Sequence, residues 1–469
     1  MQKFIRETYN KMILNIKKTK NYKRLFKKII LCATFAYNYN VEYKNDILEN
    51  AIDKISKHFE SIKSNQESKK VLFFDSFGFE YRGLANQYID ALLKKNIDFE
   101  YVTYVRNDIK SLANKLNENN IKITYITEEE SGILTLSKKL EECSDFILYI
   151  TPYDIVSLVC ARLFDGKKYL INLTDHAFWL GVNYIDYYID FRNYGSNISY
   201  YYRNIPKNKI LLNPYYPLFS DNEFQGYPCE KMNKNNTIFS GGSIYKTIDE
   251  TLLYYKIVND VLENNPETYF WYAGSGEMKY LLELQSKFPE RVYITKERND
   301  LVEILRHSRI YLSTYPMIGG LMSQYCVIAN IPALTLLYDE CSSGVLLEQG
   351  EKAFEYWKFD DLIKEANKLI KDEKYYQKRI EGWKNNIISK EDFDENLYKI
   401  ISTQKSNFKT VIDSEPYDTS KFLNTYIIRA NKDKIKIDLL NKKLMFFKEF
   451  WPYYFKYGFK KLLNKFKRK

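Results

Sequence analysis

Hydrophobic and polar positions along this chain fall into blocks whose period switches repeatedly between that of a helix and that of a strand. Within residues 1–65 the apolar positions recur three and four apart, as at Leu48, Ile52, Ile55, Phe59 and Ile62, which predicts helices. A polar break at Ser64–Ser68 precedes an apolar run, Val71–Phe74, that predicts a first strand. Leu84–Lys95 is amphipathic, with Leu84, Tyr88, Ala91 and Leu92 on one helical face. Strands are predicted at Phe99–Tyr104, Lys122–Ile126, Phe146–Ile150 and Lys168–Leu173. Helices at Asp108–Glu118, Thr135–Cys143 and Ile155–Leu163 separate them. Such alternation implies βαβ units and a parallel sheet.

The pattern falters over Ser220–Asn236, a polar segment with Gly226 and Pro228 that reads as an interdomain linker. It then restarts. Strands are predicted at Thr237–Ser240, Tyr269–Ala273, Val292–Ile294, Tyr311–Thr314 and Ala333–Leu337. Between them lie helices at Ile248–Glu263, Met278–Phe288 and Asp300–His307, and an apolar stretch closed by Asn330-Ile331-Pro332. The expected fold class is α/β, with two Rossmann-like doubly wound domains at 70–219 and 237–390. A helical, basic N-terminal extension (1–65) and a C-terminal helical extension (391–469) flank them. Two such domains predict a cleft where strand carboxyl ends face one another.

Composition adds compartment and surface. Six cysteines lie far apart in the 469 residues, with no CxxC and no close Cys/His spacing. That suits a reducing compartment and gives no support to a zinc site or a disulfide framework. No signal-peptide pattern opens the chain and no apolar run reaches membrane-spanning length, so a cytoplasmic location is expected. The net charge of +11 is uneven: residues 1–28 carry ten Lys/Arg against Glu7, and residues 440–469 carry ten against Glu449. The ends therefore hold +18 and the body −7. The C-terminal tail interleaves its lysines with Met445, Phe446, Phe447, Phe450, Trp451, Tyr453, Tyr454, Phe455, Tyr457 and Phe459. Basic residues mixed with aromatic rings suit the interface of an anionic membrane, on whose inner face the protein is expected to lie. Packing on the protein's own domain is the alternative, and no nucleic-acid partner is expected.

Candidate chemistry sits in the turns. After Tyr315-Pro316, Gly319 and Gly320 open an apolar helix, and two glycines at a helix start let a phosphate approach free N–H groups at the positive dipole end. Gly241, Gly242 and Ser243 follow the first strand of the second domain, with Lys246 close behind. Either pair also reads as a plain strand-to-helix turn. Of the three histidines, only His176 follows a predicted strand end, with Asp175 beside it. It reads as a general base for a hydroxyl, or as a histidine satisfying a buried backbone group. Trp179 reads as a stacking wall or as core. Arg82 and Gly83, in the first βα loop, read as phosphate-pairing and close-approach residues. Glu277, Glu297, Asp300 and Glu340 follow strands of the second domain, and one of them is expected to bind ribose hydroxyls.

Four segments together resemble those of GT-B glycosyltransferases, which use nucleotide sugars. They are FGFEYRGLANQYIDALLKK; INLTDHAFWLGVNYIDYYIDFR; the pair FSGGSIYKT and YAGSGE; and YPMIGG. The resemblance spans about residues 70–390 and implies a donor domain at 237–390 and an acceptor domain at 70–219. It implies donor contacts from Gly241, Gly242, Ser243, Lys246, Gly274, Pro316, Gly319, Gly320 and Gln324. His176 and Asp175 become the catalytic candidates, with Arg82, Gly83 and Trp179 on the acceptor side. A nucleotide-diphosphate sugar is the implied co-substrate, a glycan or lipid-linked molecule the acceptor, and bacterial surface polysaccharide synthesis the setting, with no metal or other cofactor. The chain departs from the pattern in one respect: Met317–Pro332 contains no acid, where many retaining members carry a glutamate pair. A sugar-nucleotide epimerase of the same fold, or a non-catalytic glycan-binding or scaffold member, are the alternative readings.

Overall fold

A computed structural model of the chain describes residues 1–78, 84–219, 222–423, 446–452 and 455. The chain divides into two compact units. One comprises Met1–Asn213 with Asp394–Pro416 and the C-terminal residues; the other comprises Pro214–Phe393 with a short later segment.

The first unit opens with α1 (Gln2–Lys18), α2 (Tyr22–Tyr39) and α3 (Asp46–Ser56). Side chains start two of these helices: Asn21 accepts from the Arg24 N–H, and Asn45 accepts from Ile47 and Leu48. The alternation then begins with β1 (Val71–Asp75), α4 (Ala85–Lys94), β2 (Phe99–Tyr104), α5 (Lys110–Glu118) and β3 (Ile123–Ile126). It continues with α6 (Glu130–Leu140), β4 (Asp145–Tyr149), α7 (Ile155–Leu163) and β5 (Lys167–Ile171). Three further elements, β6 (Tyr187–Asp190), α8 (Asn193–Arg203) and β7 (Ile210–Leu212), complete a seven-stranded sheet ordered β3-β2-β1-β4-β5-β6-β7. All its pairings are parallel. Buried on both faces, β1 reads as a continuous apolar run, as central parallel strands do.

The second unit repeats the plan with β8 (Thr237–Ser243), α9 (Leu253–Asn264), β9 (Tyr269–Ser275), α10 (Lys279–Lys287) and β10 (Val292–Thr295). Next come α11 (Leu301–Arg306), β11 (Ile310–Leu312), α12 (Gly320–Ala329), β12 (Ala333–Leu336) and β13 (Glu355–Tyr356). The six strands are ordered β10-β9-β8-β11-β12-β13. Helices α13 (Phe359–Lys371), α14 (Glu373–Ile380) and α15 (Lys390–Thr403) follow.

Three boundaries differ from expectation. The N-terminal helices are not an appendage: Met12, Ile29 and Ile52 share one core with Leu72, Phe74 and Leu148 of the sheet. The polar segment at 220–236 is not a free linker, because its described part packs on α11. Phe224 stacks on His307 at 4.0 Å, and the Gln225 N–H donates to Asp300 at 2.9 Å. Residues 391–469 are not one extension. Most of α15 returns to the first unit, where Asn396 donates to Leu212 O at 2.9 Å and to Asn213 Oδ1 at 2.8 Å.

The described part of the aromatic tail packs on its own unit. Phe447 and Phe450 are buried in the core that α1 and α2 help to build, and Glu449 accepts from Asn15 on α1 at 2.7 Å. Trp451 and Phe455 stay exposed. Met445, Tyr453, Tyr454, Tyr457 and Phe459 lie outside the described residues. Among the described residues, no helix is long and apolar enough to cross a membrane.

Candidate functional site

In a doubly wound sheet the strand order reverses at one point, and a crevice opens there beyond the strand carboxyl ends. In the second sheet the reversal lies between β8 and β11. The end of β8 and the turn after it carry Gly241–Lys246, and the loop leaving β11 carries Ser313–Gly319. They form one assembly, since the Met317 N–H donates to Lys246 O at 3.3 Å and Thr314 Oγ1 donates to Met317 O at 2.6 Å. The second loop runs through a cis Tyr315-Pro316 bond and delivers Gly319 as the residue before α12. Gly319 provides no side-chain cap, so the first amides of α12 and its positive dipole end are left for solvent or an anion. Ser243, Lys246, Gly319 and Gly320 are half-buried around this point, and Pro316 is buried beneath it.

The glycines there serve different ends. Gly242, near the end of β8, has φ +115° with open space where a Cβ would stand, so only its backbone conformation demands glycine. Gly241 and Gly274 answer to the sheet: a Cβ would lie 2.7 Å from Ala273 O in the first case and 2.0 Å from Gly242 O in the second. Gly274 is thereby explained by strand packing, without the ligand contact that the resemblance implied. A Cβ at Gly319 would meet only ordinary contacts, 3.5 Å to Met322 and 3.8 Å to the Tyr311 hydroxyl. Gln324 is 5% exposed and packed inside the unit, which removes it from the solvent-open donor groups.

The acids sort by their partners. Asp300 is held by Arg298 at 2.6 Å and by the Gln225 N–H, so it is a structural ion pair. Glu297 accepts from Ser275 at 2.7 Å. Asp339, beyond the end of β12, is the residue that sequence reasoning missed in favour of its neighbour Glu340. It is 3% exposed, and its Oδ2 has no hydrogen-bond partner among the described residues. Burial, with Glu340 adding to it, pushes its pKa up to about 6 against hydrogen bonds from Ser342. The only signal in the sequence was the strand-end position it shares with Glu340.

In the first unit, His176 and Asp175 come together as expected. Asp175 Oδ1 stands 3.1 Å from His176 Nδ1. A carboxylate only accepts, so Nδ1 carries the proton and Nε2 becomes the basic nitrogen of the neutral ring. Asp175 is itself clamped by Arg192, whose Nε lies 2.6 Å from Oδ2. Burial raises the Asp175 pKa, but the Arg192 charge and the His176 contact outweigh it and hold the carboxyl below the usual range. Buried Arg203 supports the turn from beneath, donating to Asp175 O at 3.0 Å and to Ala177 O at 2.6 Å. Asn40, the residue that closes α2, completes the frame, donating to His176 O and accepting from the Phe178 N–H. Trp179 is 3% exposed and stacked under the Arg203 guanidinium at 4.7 Å, so it belongs to the core and walls no acceptor site. Arg82 and Gly83 lie outside the described residues. Among the described residues, no group of His, Cys, Asp and Glu has the geometry to hold a metal ion.

Two parallel doubly wound sheets, each reversing its order beside the first strand of its unit, define the GT-B fold. Solved structures of that type are similar to this chain. A Staphylococcus aureus TarM mutant, in complex with fondaparinux, alpha-GlcNAc-glycerol and UDP, matches with TM-score 0.52 and 11% identity over 71% of this chain and 100% of that one. Anabaena Alr3699/HepE, in complex with UDP and glucose, matches with TM-score 0.51 and 12% identity, over 71% and 100%. A Thermobaculum terrenum O-GlcNAc transferase mutant matches with TM-score 0.51 and 11% identity, over 80% and 77%. At these identities the likeness shows the fold. No protein-family profile and no curated protein sequence matches the chain.

Proposed function

We propose that this protein is a glycosyltransferase that moves a sugar from a nucleoside-diphosphate sugar to a glycan or lipid-linked acceptor, in the building of a bacterial surface glycan. The observation that carries the reading is the joined pair of loops at the β8/β11 reversal, with the uncapped start of α12 among them. As the glycosidic bond breaks, charge grows on the departing diphosphate. Amides at a helix start, backbone opened by Gly242 and the cationic Lys246 are the groups that would stabilise it. Asp339, with an unsatisfied buried oxygen, is suited to accept from a ribose or sugar hydroxyl. On the acceptor side, His176 Nε2 would take the hydroxyl proton while Asp175 stabilises the imidazolium. The UDP in the TarM and HepE complexes makes UDP-sugars the first donors to try.

A panel of UDP-sugars should raise the melting temperature of the protein, and one of them should support transfer. Gly319→Val should keep the fold, because a Cβ there meets ordinary contacts, yet lose most nucleotide binding as its methyls cover the α12 amides. His176→Ala should bind nucleotide and fail to transfer. If no nucleotide sugar stabilises the protein, or Gly319→Val binds as well as the parent, the reading is wrong. Isomerisation of the donor without an acceptor would replace it with the epimerase reading.

A further inference from the structure

The first sheet also reverses its order, between β1 and β4, and its two loops are joined there by the Thr151 N–H donating to Ser76 Oγ at 2.7 Å. Against this reversal point lies a cavity of about 620 Å³, bounded by α2 and Phe59 on one side and by the starts of α6 and α7 on the other. Its size falls within the range of about 300–1,000 Å³ typical of small-molecule sites. None of the residues singled out by motif lines it.

The walls are divided by chemistry. Phe26, Ile30 and Phe59 make the α2 side apolar, and Ile133 and Val156 add apolar surface from α6 and α7. At the other side Tyr104 donates to Asp154 at 2.6 Å, next to Thr151 and Tyr153, so hydroxyl and carboxyl groups cluster at the strand ends. The rim bears Glu128, Glu129 and Glu130. Arg106 pairs with Glu128 at 2.7 Å and Lys23 with Glu130 at 3.2 Å, while Lys27 stands over the Phe446 ring at 5.5 Å. Three cations thus balance the three carboxylates, so the rim offers a charged head group no net countercharge, whereas neutral hydroxyls can donate to the carboxylates.

We propose that this cavity binds a single-chain amphiphile, its alkyl chain against the α2 wall and an uncharged, hydroxyl-bearing head at the Tyr104–Asp154 end. Identifying that amphiphile with the acceptor rests on the transferase reading above; occupation of the cavity does not. The site lies within one unit, and its apolar half exists because the N-terminal helices close over the sheet.

The test is titration calorimetry of the full chain with n-decyl β-maltoside below its critical micelle concentration. Saturable binding to one site is expected. Ile30→Trp, which fills the apolar end from a half-buried position, should weaken it by about tenfold or more. Leu14→Trp, on the exposed face of α1, should leave it unchanged. Circular dichroism and melting check both folds, and Phe26→Asp replaces Ile30→Trp if the latter fails to fold. Non-saturating heats, or undiminished binding by the filled variant, overturn the proposal; decyl sulfate binding as tightly as the maltoside overturns the uncharged head. UDP-glucose is titrated in parallel. Maltoside binding without any nucleotide-sugar binding would keep this inference and remove the transferase reading.

Discussion

Buried carboxylates govern the acid–base behaviour of the first unit, and they pull in opposite directions. Glu49 is fully buried and accepts from the Gly181 N–H at 2.9 Å, yet burial pushes its pKa up to about 7. A raised acid is favoured protonated in the fold, so its contribution is full below the ordinary value and is lost as pH rises through about 7. Asp190, raised by burial to about 7, behaves alike. Asp175 is held low, so its contribution is present above the ordinary carboxylate range and is lost as pH falls through it. Glu49→Gln should therefore melt higher than the parent at pH 8, by an equivalent of about 1–3 kcal/mol, and match it near pH 4. Equal melting at both values would refute the assignment of Glu49. At this scale the His176–Asp175 pair was legible because the two residues are sequence neighbours at a strand end. Arg192 and Arg203 were not, since nothing in their spacing announces that α8 and the turn before it fold back beneath the histidine.

At the scale of elements, the strand–helix alternation was readable wherever strands are apolar runs between turn residues. It failed over β6, α8 and β7, where tyrosine and asparagine dilute the apolar signal and burial is supplied by distant neighbours. The glycine pairs read as turns from the sequence, yet Gly241 and Gly242 lie within β8, paired with Ala273 and Gly274 of β9. Gly274 is needed because two backbones approach, Gly242 because the end of β8 takes a positive φ there, and Gly319 for neither reason. Substituting alanine should separate these duties. Gly274→Ala forces apart the ends of β8 and β9 and should cost more than about 2 kcal/mol in urea unfolding, whereas Gly319→Ala should change stability by less than about 1. Equal costs would mean that close approach of the strands is not what selects glycine at 274.

Across the whole molecule, the described start of the C-terminal segment packs beside the basic N-terminal helices. Lys17, Lys18 and Lys20 are exposed at the close of α1, and Phe446–Phe450 packs against α1 and α2 with Trp451 exposed beside them. We propose that this platform binds the anionic inner face of a membrane, with cations near the headgroups and the indole at their depth. Truncating the tail would be a poor test, since it would strip Phe447 and Phe450 from the core. Lys17→Ser, Lys18→Ser and Lys20→Ser combined should instead reduce sedimentation with phosphatidylserine vesicles, and added salt should weaken the parent's binding too. Salt-independent binding, or none lost in the triple variant, would exclude an electrostatic platform. Periodicity could not reveal this surface, because no local pattern relates residues separated by most of the chain.

The return of α15 has a topological consequence. Polypeptide leaves the first unit after Asn213 and re-enters at Asp394, and the hydrogen bond between Asn396 and Asn213 already holds exit and entry side by side. The larger part of the second unit, Pro214–Phe393, is thus a guest spliced into the first, its host, and a short stretch after Pro416 belongs to it as well. Separating host from guest would therefore take two cuts, the second beginning after Pro416, and a single bridge from Asn213 to Asp394 would leave part of the guest behind.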